Sequence, residues 1–115
     1  MRDGVTRPNP YLGAVVRSVA GRDRRRVFIV TDVTLEGGRV MLTVADGSLR
    51  RISDGKRKNA RHVKIIAAVT DEEWKRIAER PDDEVMRETL AGYDPLIKSA
   101  DDGTIYRPDR GGTEN

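Results

Sequence analysis

The sequence predicts a mainly β fold with a short α extension, in which a small five-stranded barrel precedes two short helices. Side chains alternate with a period of two over residues 12–66, and glycine-containing turns separate the alternating runs. At Thr70 the pattern changes to a helical one. A chain of 115 residues is long enough for one domain of ordinary size. From the change of pattern we expect a barrel at residues 11–68 and an acidic helical extension at residues 69–98.

The alternating runs are rich in β-branched residues, which suit a pleated and half-buried surface. Turn signals separate the main runs at Gly21, Gly37-Gly38 and Asp46-Gly47. A sheet of five such short strands avoids open edges best by curling on itself, so we expect a five-stranded SH3-like barrel. The predicted strands lie at residues 15–20, 27–33, 40–45, 49–52 and 62–66.

The first helix is predicted from its N-terminal signals. Thr70 is a cap residue, and Glu73 three residues later completes a capping box. Val69 and Trp74 occupy the two positions of a hydrophobic staple around this cap. The helix should end near Arg80, because a proline follows it.

A second helix is predicted over residues 83–91, with Gly92 as its C-terminal stop and Asp94-Pro95 as a turn. The two ends of the chain are polar. Residues 1–10 contain two prolines, which remove the backbone donors that a strand interior needs, so we expect a basic irregular arm. Residues 99–115 are polar and glycine-rich, which predicts a flexible tail.

The two halves of the chain carry opposite charge. Residues 1–66 contain 15 Lys and Arg against 6 Asp and Glu, whereas residues 67–115 contain 7 against 13. A surface of one sign steers and holds polyanions, so nucleic acid is the first partner to consider. The absence of cysteine excludes disulfides and thiolate metal sites and fits a cytoplasmic protein. No run approaches the roughly 20 apolar residues of a membrane helix, and we expect no membrane partner.

The residues give no support to an enzymatic function. His62 is the single histidine, and the chain has neither a cysteine nor an elbow serine for it to activate. The acidic runs at residues 82–84 and 101–102 lack the spacing of a calcium loop, and the turn glycines lack the setting of a phosphate loop. We therefore expect a non-enzymatic protein with no cofactor and no metal site.

Two basic clusters indicate phosphate binding: Arg22 with residues 24–26, between two predicted strands, and residues 56–64, predicted to turn before the last strand. Arginine offers planar bidentate donors to phosphate, and lysine a mobile point charge. Only Tyr11 and Phe28 are aromatic in the basic half, which favours the backbone and shape of structured RNA over stacked single strands. The predicted RNA-binding residues are Arg17, Arg22, Arg24, Arg25, Arg26, Arg50, Arg51, Lys56, Arg57, Lys58, Asn59, Arg61, His62 and Lys64.

The same part of the chain resembles the KOW motif. Residues 13–23 read GAVVRSVAGRD and are followed by VFIV at residues 27–30. The segments VADG at residues 44–47 and KRKNARHV at residues 56–63 are similar to the rest of that domain. The variant is the one found in eukaryotic and archaeal-type large-subunit ribosomal proteins and their small bacterial relatives, and the match covers about residues 10–66.

This resemblance implies an SH3-like barrel that binds RNA, most often ribosomal RNA. It makes Gly21 the turn glycine, residues 46–47 the next hairpin and residues 56–62 the RNA-facing segment. The family usually has a second glycine in the first loop, where this chain has the arginine run at residues 24–26. A proline often precedes the family's basic segment, where this chain has Gly55.

We expect this protein to bind structured RNA, in particular ribosomal RNA, as a monomeric ribosome-associated or accessory translation factor. The alternative is a protein-interaction module on the transcription or translation machinery, in which the barrel and the Trp74 helix dock a protein. Three interpretations of the acidic region stay open: its helices cover an open end of the barrel, they bind another protein, or the acidic tail competes with RNA for the basic residues. The first interpretation uses the apolar side chains Trp74, Ile77, Val85, Met86 and Leu90.

Overall fold

Five antiparallel strands form one sheet, and three helices follow it along the chain. The computed structural model describes residues 9–22 and 24–102. Its strands are β1 (Ala14–Ser18), β2 (Val27–Glu36), β3 (Arg39–Ala45), β4 (Lys56–Asn59) and β5 (Val63–Ala68). Its helices are α1 (Asp71–Glu79), α2 (Asp83–Ala91) and α3 (Asp94–Asp102), and 3₁₀ turns lie at Ile52–Asp54 and Ala60–His62. Most of the predicted basic arm and the predicted tail beyond residue 102 lie outside the described residues.

The three turns predicted between strands and four of the five predicted strands are confirmed. All three turns place glycine in the left-handed region, with φ between 58° and 81°. Glycine adopts this region without the steric cost that a Cβ atom brings. The confirmed strands are those predicted at residues 15–20, 27–33, 40–45 and 62–66.

The strand predicted at residues 49–52 is wrong. These residues belong to the connection from β3 to β4, where Oδ1 of Asp46 accepts hydrogen bonds from the backbone N–H groups of Ser48 and Arg50, both at 2.8 Å. The fourth strand is β4, formed by the basic segment that the sequence predicts to be a turn. Because β4 lies at an edge of the sheet, it tolerates charged side chains and shows no apolar alternation.

The sheet is open, so the predicted closure into a barrel is wrong. Its strand order is β4-β3-β2-β1-β5, and no ladder joins the two edge strands in the part of the chain that the structure describes. β4 has only four residues and ends where the 3₁₀ turn at Ala60–His62 begins, so it offers little length for pairing. The sheet still curves, because irregularities in the β1–β5 and β2–β3 registers bend the strands.

Both faces of the sheet bury apolar side chains. One face carries Val15, Ile29 and Ala45, which pack in one cluster with Trp74 and Met86 of the helical region. The helices thus cover a face of the sheet and not an open end of a barrel. The opposite face buries a second cluster, made of Ala14, Val16, Phe28, Val30, Leu42 and Val44.

The start of α1 confirms the predicted capping box. Oγ1 of Thr70 accepts a hydrogen bond from the backbone N–H of Glu73 at 3.1 Å, and Oε1 of Glu73 accepts one from the backbone N–H of Thr70 at 2.9 Å. Val69 and Trp74 lie in the same buried cluster, as a hydrophobic staple requires. The helix ends at Glu79, with Arg80 as its C-cap, close to the predicted end.

α2 spans the predicted residues 83–91, whereas α3 is a helix that the prediction missed. Asp82 caps α2 by accepting a hydrogen bond from the backbone N–H of Glu84 at 2.8 Å. The turn predicted at Asp94-Pro95 is wrong, because proline fits the first turn of a helix, where its missing N–H needs no partner. Strand and helix contents are about 35% and 34%, so the mainly β prediction underestimates the helical part. None of the described helices is long and apolar enough to cross a membrane.

Candidate nucleic-acid interface

The arginine loop, which we define as residues 19–26, joins β1 to β2 and carries the first basic cluster. The backbone N–H of Arg24 donates to the carbonyl oxygen of Gly21 at 3.2 Å, and Gly21 has a φ of +81°. The side chains of Arg22 and Arg24 are exposed on this tight turn. Neither guanidinium contacts a hydrogen-bond or ion-pair partner among the described residues. Both are therefore placed where an anionic ligand can reach them.

A β-bulge fixes the arginine loop to the sheet. The N–H of Ser18 donates to the carbonyl of Arg26 at 2.9 Å, and the carbonyl of Ser18 accepts from the N–H of Arg25 at 2.8 Å, so two residues oppose one. Arg25 takes the first bulge position with a φ of +79°, in the left-handed region where glycine is favoured. No other non-glycine residue of the described chain has a positive φ. The chain thus has a long cationic side chain at a position where glycine would be less strained.

The second basic cluster meets the arginine loop at the corner, which we define as residues Asn59–His62 between β4 and β5. The backbone N–H of Val19 donates to the carbonyl of His62 at 2.9 Å. Nζ of Lys58, at the end of β4, donates to the carbonyl of Ala20 at 3.3 Å, across a sequence separation of 38 residues. These contacts place the two basic clusters side by side, although they lie far apart in the sequence.

Six exposed side chains of the arginine loop, the corner and β5 form what we call the basic surface. Three of them belong to the arginine loop, two to the corner and one to β5. The residue of β5 is Lys64, which lies opposite Arg17 of β1 in the register. None of the six side chains has a hydrogen-bond or ion-pair partner within the described chain. The basic surface consists of Arg22, Arg24, Arg25, Arg61, His62 and Lys64.

Two of the predicted RNA-binding residues have partners inside the protein. Lys58 is only 8% exposed, and its ammonium group is directed to the carbonyl of Ala20. The guanidinium of Arg17 donates to the carbonyl of Arg25 at 2.9 Å and to that of Ile97 in α3 at 3.2 Å. Arg17 and Lys58 therefore hold the arginine loop against the rest of the molecule.

Two further predicted residues have partners on β2. Arg57 forms an ion pair with Glu36, and its hydrogen bond, together with one from Thr34, holds the pKa of the Glu36 carboxyl below its usual value. The guanidinium carbon of Arg26 lies 5.8 Å from the centroid of the Phe28 ring, a cation–π distance. Arg57 and Arg26 therefore border the basic surface with part of their charge already engaged.

Arg50 and Arg51 lie on the connection from β3 to β4, which packs against α2. The backbone N–H of Ile52 donates to Oδ1 of Asp83 at 2.9 Å. A Cβ atom on Gly47 would lie 2.4 Å from the carbonyl oxygen of Asp83, so only glycine permits this close approach. Arg50 itself pairs with Asp54 at 3.4 Å. We therefore leave these two arginines outside the basic surface.

The charge of β4 also has a structural explanation. An unpaired edge strand can pair with other chains, and lysine or arginine side chains discourage such pairing. β4 lies at an edge of the sheet, and three of its four residues, Lys56 to Lys58, are basic. The charge of β4 alone therefore does not indicate a ligand. The basic side chains of the arginine loop and the corner lie outside the strands, so protection of a sheet edge does not explain them.

A groove beside the corner is lined by two residues that the predicted RNA-binding set does not contain, Tyr11 and Arg39. In the sequence, Tyr11 stands out only as one of the few aromatic residues of the basic half, and Arg39 does not stand out. Arg39 stands alone after the Gly37-Gly38 turn, so no cluster in the sequence signals it. It reaches the corner because β3 pairs with β4, with Met41 opposite Asn59. This long-range register brings Arg39 to the corner, where Tyr11, which precedes β1, also lines the groove.

Neither a protein-family model nor a curated protein matches the sequence. The resemblance to the KOW family therefore stays a prediction carried by the residues quoted above. Within residues 9–22 and 24–102, no three histidine or acidic side chains gather as a metal site would require. What the described site offers chemically is a set of cations and hydrogen-bond donors, which suits an anionic ligand.

Proposed function

We propose that the protein binds structured RNA without catalysing a reaction, and that its ligand is ribosomal RNA, as expected of an accessory translation factor. The observation that carries this proposal is the contact between the arginine loop and the corner. Through it and the β1–β5 register, exposed basic side chains from distant parts of the chain lie on neighbouring elements of the fold. The phosphates of folded RNA are regularly spaced anions that fit such a display.

The mechanism is electrostatic. Arg22, Arg24 and Arg25 offer guanidinium groups that bind phosphate oxygens in pairs. Asn59 and His62 at the corner offer hydrogen bonds to sugar hydroxyls or base edges. Because backbone hydrogen bonds with Ser18 and Gly21 already hold the loop, binding orders fewer groups than a mobile loop would require.

The KOW resemblance supports the same function. The motif residues 13–23 contain β1 and the start of the arginine loop, and the segment at residues 56–63 contains β4 and the corner. Both quoted segments thus contribute to the one place where the basic clusters meet. We accordingly place the curved, open sheet among the relatives of SH3-like barrels.

The alternative, a protein-interaction module, depended on the helix that carries Trp74. Trp74 is 9% exposed and belongs to the core cluster between the sheet and the helices. Hot spots of protein interfaces are often tryptophan or tyrosine side chains that a partner can bury. A tryptophan already buried in its own fold supplies no such anchor, so the RNA proposal is preferred.

The test replaces Arg22, Arg24 and Arg25 together with alanine and measures binding to purified ribosomal RNA on filters, over about 50–300 mM salt. The matched control replaces Lys75, Arg76 and Arg80 on or next to α1, which removes the same charge from the other half of the chain. We expect the loop variant to bind roughly tenfold or more weakly and its log–log salt slope to fall by about 0.7–0.9 per lost phosphate contact. The control should bind like the wild type.

An equal loss of affinity in both variants would contradict a role for the arginine loop beyond net charge. An unrelated structured RNA serves as competitor, and wild-type binding that it removes would contradict the ribosomal assignment. Failure of the wild type to bind any RNA at low salt would overturn the proposed function and favour the protein-interaction module.

A further inference from the structure

The groove beside the corner adjoins the basic surface and shares Arg61 with it. Its volume is about 290 Å³. Pockets for small molecules start at roughly 300 Å³, so this groove has room for one nucleotide-sized group. Its principal lining residues are Tyr11, Arg39, Val40, Asn59, Ala60 and Arg61.

The walls of the groove divide into an apolar floor and a polar rim. Tyr11, Val40 and Ala60 are half-buried and pack against the core cluster of the sheet, which makes the floor rigid. Arg39 and Arg61 are exposed at the rim, and their side chains have no partner among the described residues. Among the described residues, no acidic side chain lines the groove. A flat apolar group with adjoining negative charge therefore complements it.

Asn59 is held in a defined orientation at the edge of this groove. Its Oδ1 accepts a hydrogen bond from the backbone N–H of Arg61 at 2.9 Å. With the oxygen so engaged, the amide nitrogen remains as a donor for a ligand. The groove thus combines an aromatic ring, two cations and one oriented amide.

We propose that this groove binds a single unpaired nucleotide of the RNA, with its base against Tyr11 and its flanking phosphates on Arg39 and Arg61. The inference rests on the proposed function and adds a site that selects RNA with an unpaired base next to a stem. Proteins hold unstacked bases on aromatic rings and use amide groups on the base edges. One such site is compatible with a basic half that has few aromatic residues.

The test compares two RNA hairpins with the same stem, one fully paired and one with a single bulged nucleotide. Tyr11→Leu removes the ring but keeps apolar volume against the core, and Tyr11→Phe keeps the ring as the matched control. Arg39→Gln removes a rim charge from an exposed hairpin position, where the fold does not depend on it. We expect the wild type and Tyr11→Phe to prefer the bulged hairpin by roughly 5- to 100-fold, the range that stacking of one base supplies. Tyr11→Leu should abolish this preference and Arg39→Gln should reduce it, while both bind the paired hairpin like the wild type.

The outcomes separate this inference from the proposed function. If the wild type binds both hairpins equally, or if the two groove variants keep the preference, the nucleotide site is wrong although RNA binding stands. If the wild type binds neither hairpin at low salt, both proposals fail. The triple variant of the arginine loop should lose affinity for both hairpins by the same factor, and a selective loss for the bulged hairpin would overturn the division between the two sites.

Discussion

The acidic side chains of the helical region and the cations of the basic surface differ in what they contact. Several carboxylates of the helical region satisfy backbone donors: Glu73 caps α1, Asp82 caps α2, and Asp83 accepts from the N–H of Ile52. The basic surface contains no such pairs among the described residues. The fold therefore accounts for much of the acidic charge but not for the basic charge, and a ligand is to be sought on the basic side.

The largest expected change in the free energy of unfolding is that of a substitution at Trp74, and it tests whether the helical region is part of the core. We expect Trp74→Ala to lower the free energy of unfolding by about 3–5 kcal/mol, because the side chain lies in the cluster that joins the helices to the sheet. Chemical denaturation measures this loss, and Leu49→Ala is the control, since Leu49 is 74% exposed. A Trp74→Ala variant as stable as the control would mean that the helical region is not part of the core and is free for a partner.

The local parts of this fold were predictable because their signals lie within a few residues. The cap at Thr70, the staple at Trp74 and the turn at Gly37-Gly38 each depend on neighbours in sequence, and each is confirmed. β4 was missed because an edge strand of lysine and arginine carries no apolar alternation. α3 was missed because proline is common both in β-turns and in the first turn of a helix, so Pro95 does not distinguish the two.

The site was predictable in composition but not in arrangement. The clustering of arginine in the sequence indicated the arginine loop, yet burial of Lys58 and the bonding of Arg17 to α3 depend on contacts across 38 and 80 residues. The open sheet likewise depends on bulges and strand lengths that no single run encodes. Arg39 lay outside the prediction for the same reason, since only the pairing of β3 with β4 brings it to the corner.

Lys58 is an exception among the basic residues, because its ammonium group has a partner inside the fold. Its substitution therefore tests whether a basic residue with such a partner serves stability and not RNA binding. Lys58→Ala should lower the free energy of unfolding by about 1–3 kcal/mol, since it removes a buried stem and one of the two donors to the carbonyl of Ala20, the other being the hydroxyl of Ser18. Lys58→Met, which keeps the stem, should cost less, and Lys75→Ala, from an exposed position on α1, should cost least. Thermal or chemical denaturation ranks the three variants. If Lys58→Ala leaves stability unchanged but weakens RNA binding, Lys58 belongs with the basic surface after all.

Arg25 tests whether the arginine loop is arranged for binding at some expense of stability. A left-handed conformation costs an L-residue roughly 1–2 kcal/mol, and the greater chain entropy of glycine offsets roughly half of this. We therefore expect Arg25→Gly to raise the free energy of unfolding by about 0.5–1 kcal/mol while it weakens RNA binding. Arg25→Lys, which keeps both charge and strain, is the matched control. A glycine variant that is more stable and binds RNA as well as the wild type would remove the functional reason for an arginine here.

The smallest effect concerns the carboxylate of Glu73. Burial raises the pKa of this carboxyl, but hydrogen bonds from the Tyr93 hydroxyl and the Thr70 N–H outweigh burial, so the pKa lies below its ordinary value. A carboxyl whose pKa is lower in the folded state stabilises the protein above its unfolded pKa, and this stabilisation is lost as the pH falls through the folded pKa. Glu73→Gln removes that titration, so the unfolding free energies of wild type and variant should converge as the pH falls from about 7 to 3.

Glu72→Gln is the control for this pH series, because Glu72 is exposed in the same first turn of α1. Glu72 accepts neither of the hydrogen bonds that hold Glu73, so Glu72→Gln should change the unfolding free energy at pH 7 less than Glu73→Gln does. If Glu73→Gln runs parallel to the wild type, the Glu73 carboxylate makes no charge-dependent contribution to the fold. The structure would then explain less of the acidic charge. The interpretation in which the acidic tail competes with RNA for the basic residues would gain weight, and it predicts that deletion of residues 100–115 tightens RNA binding, most visibly at low salt.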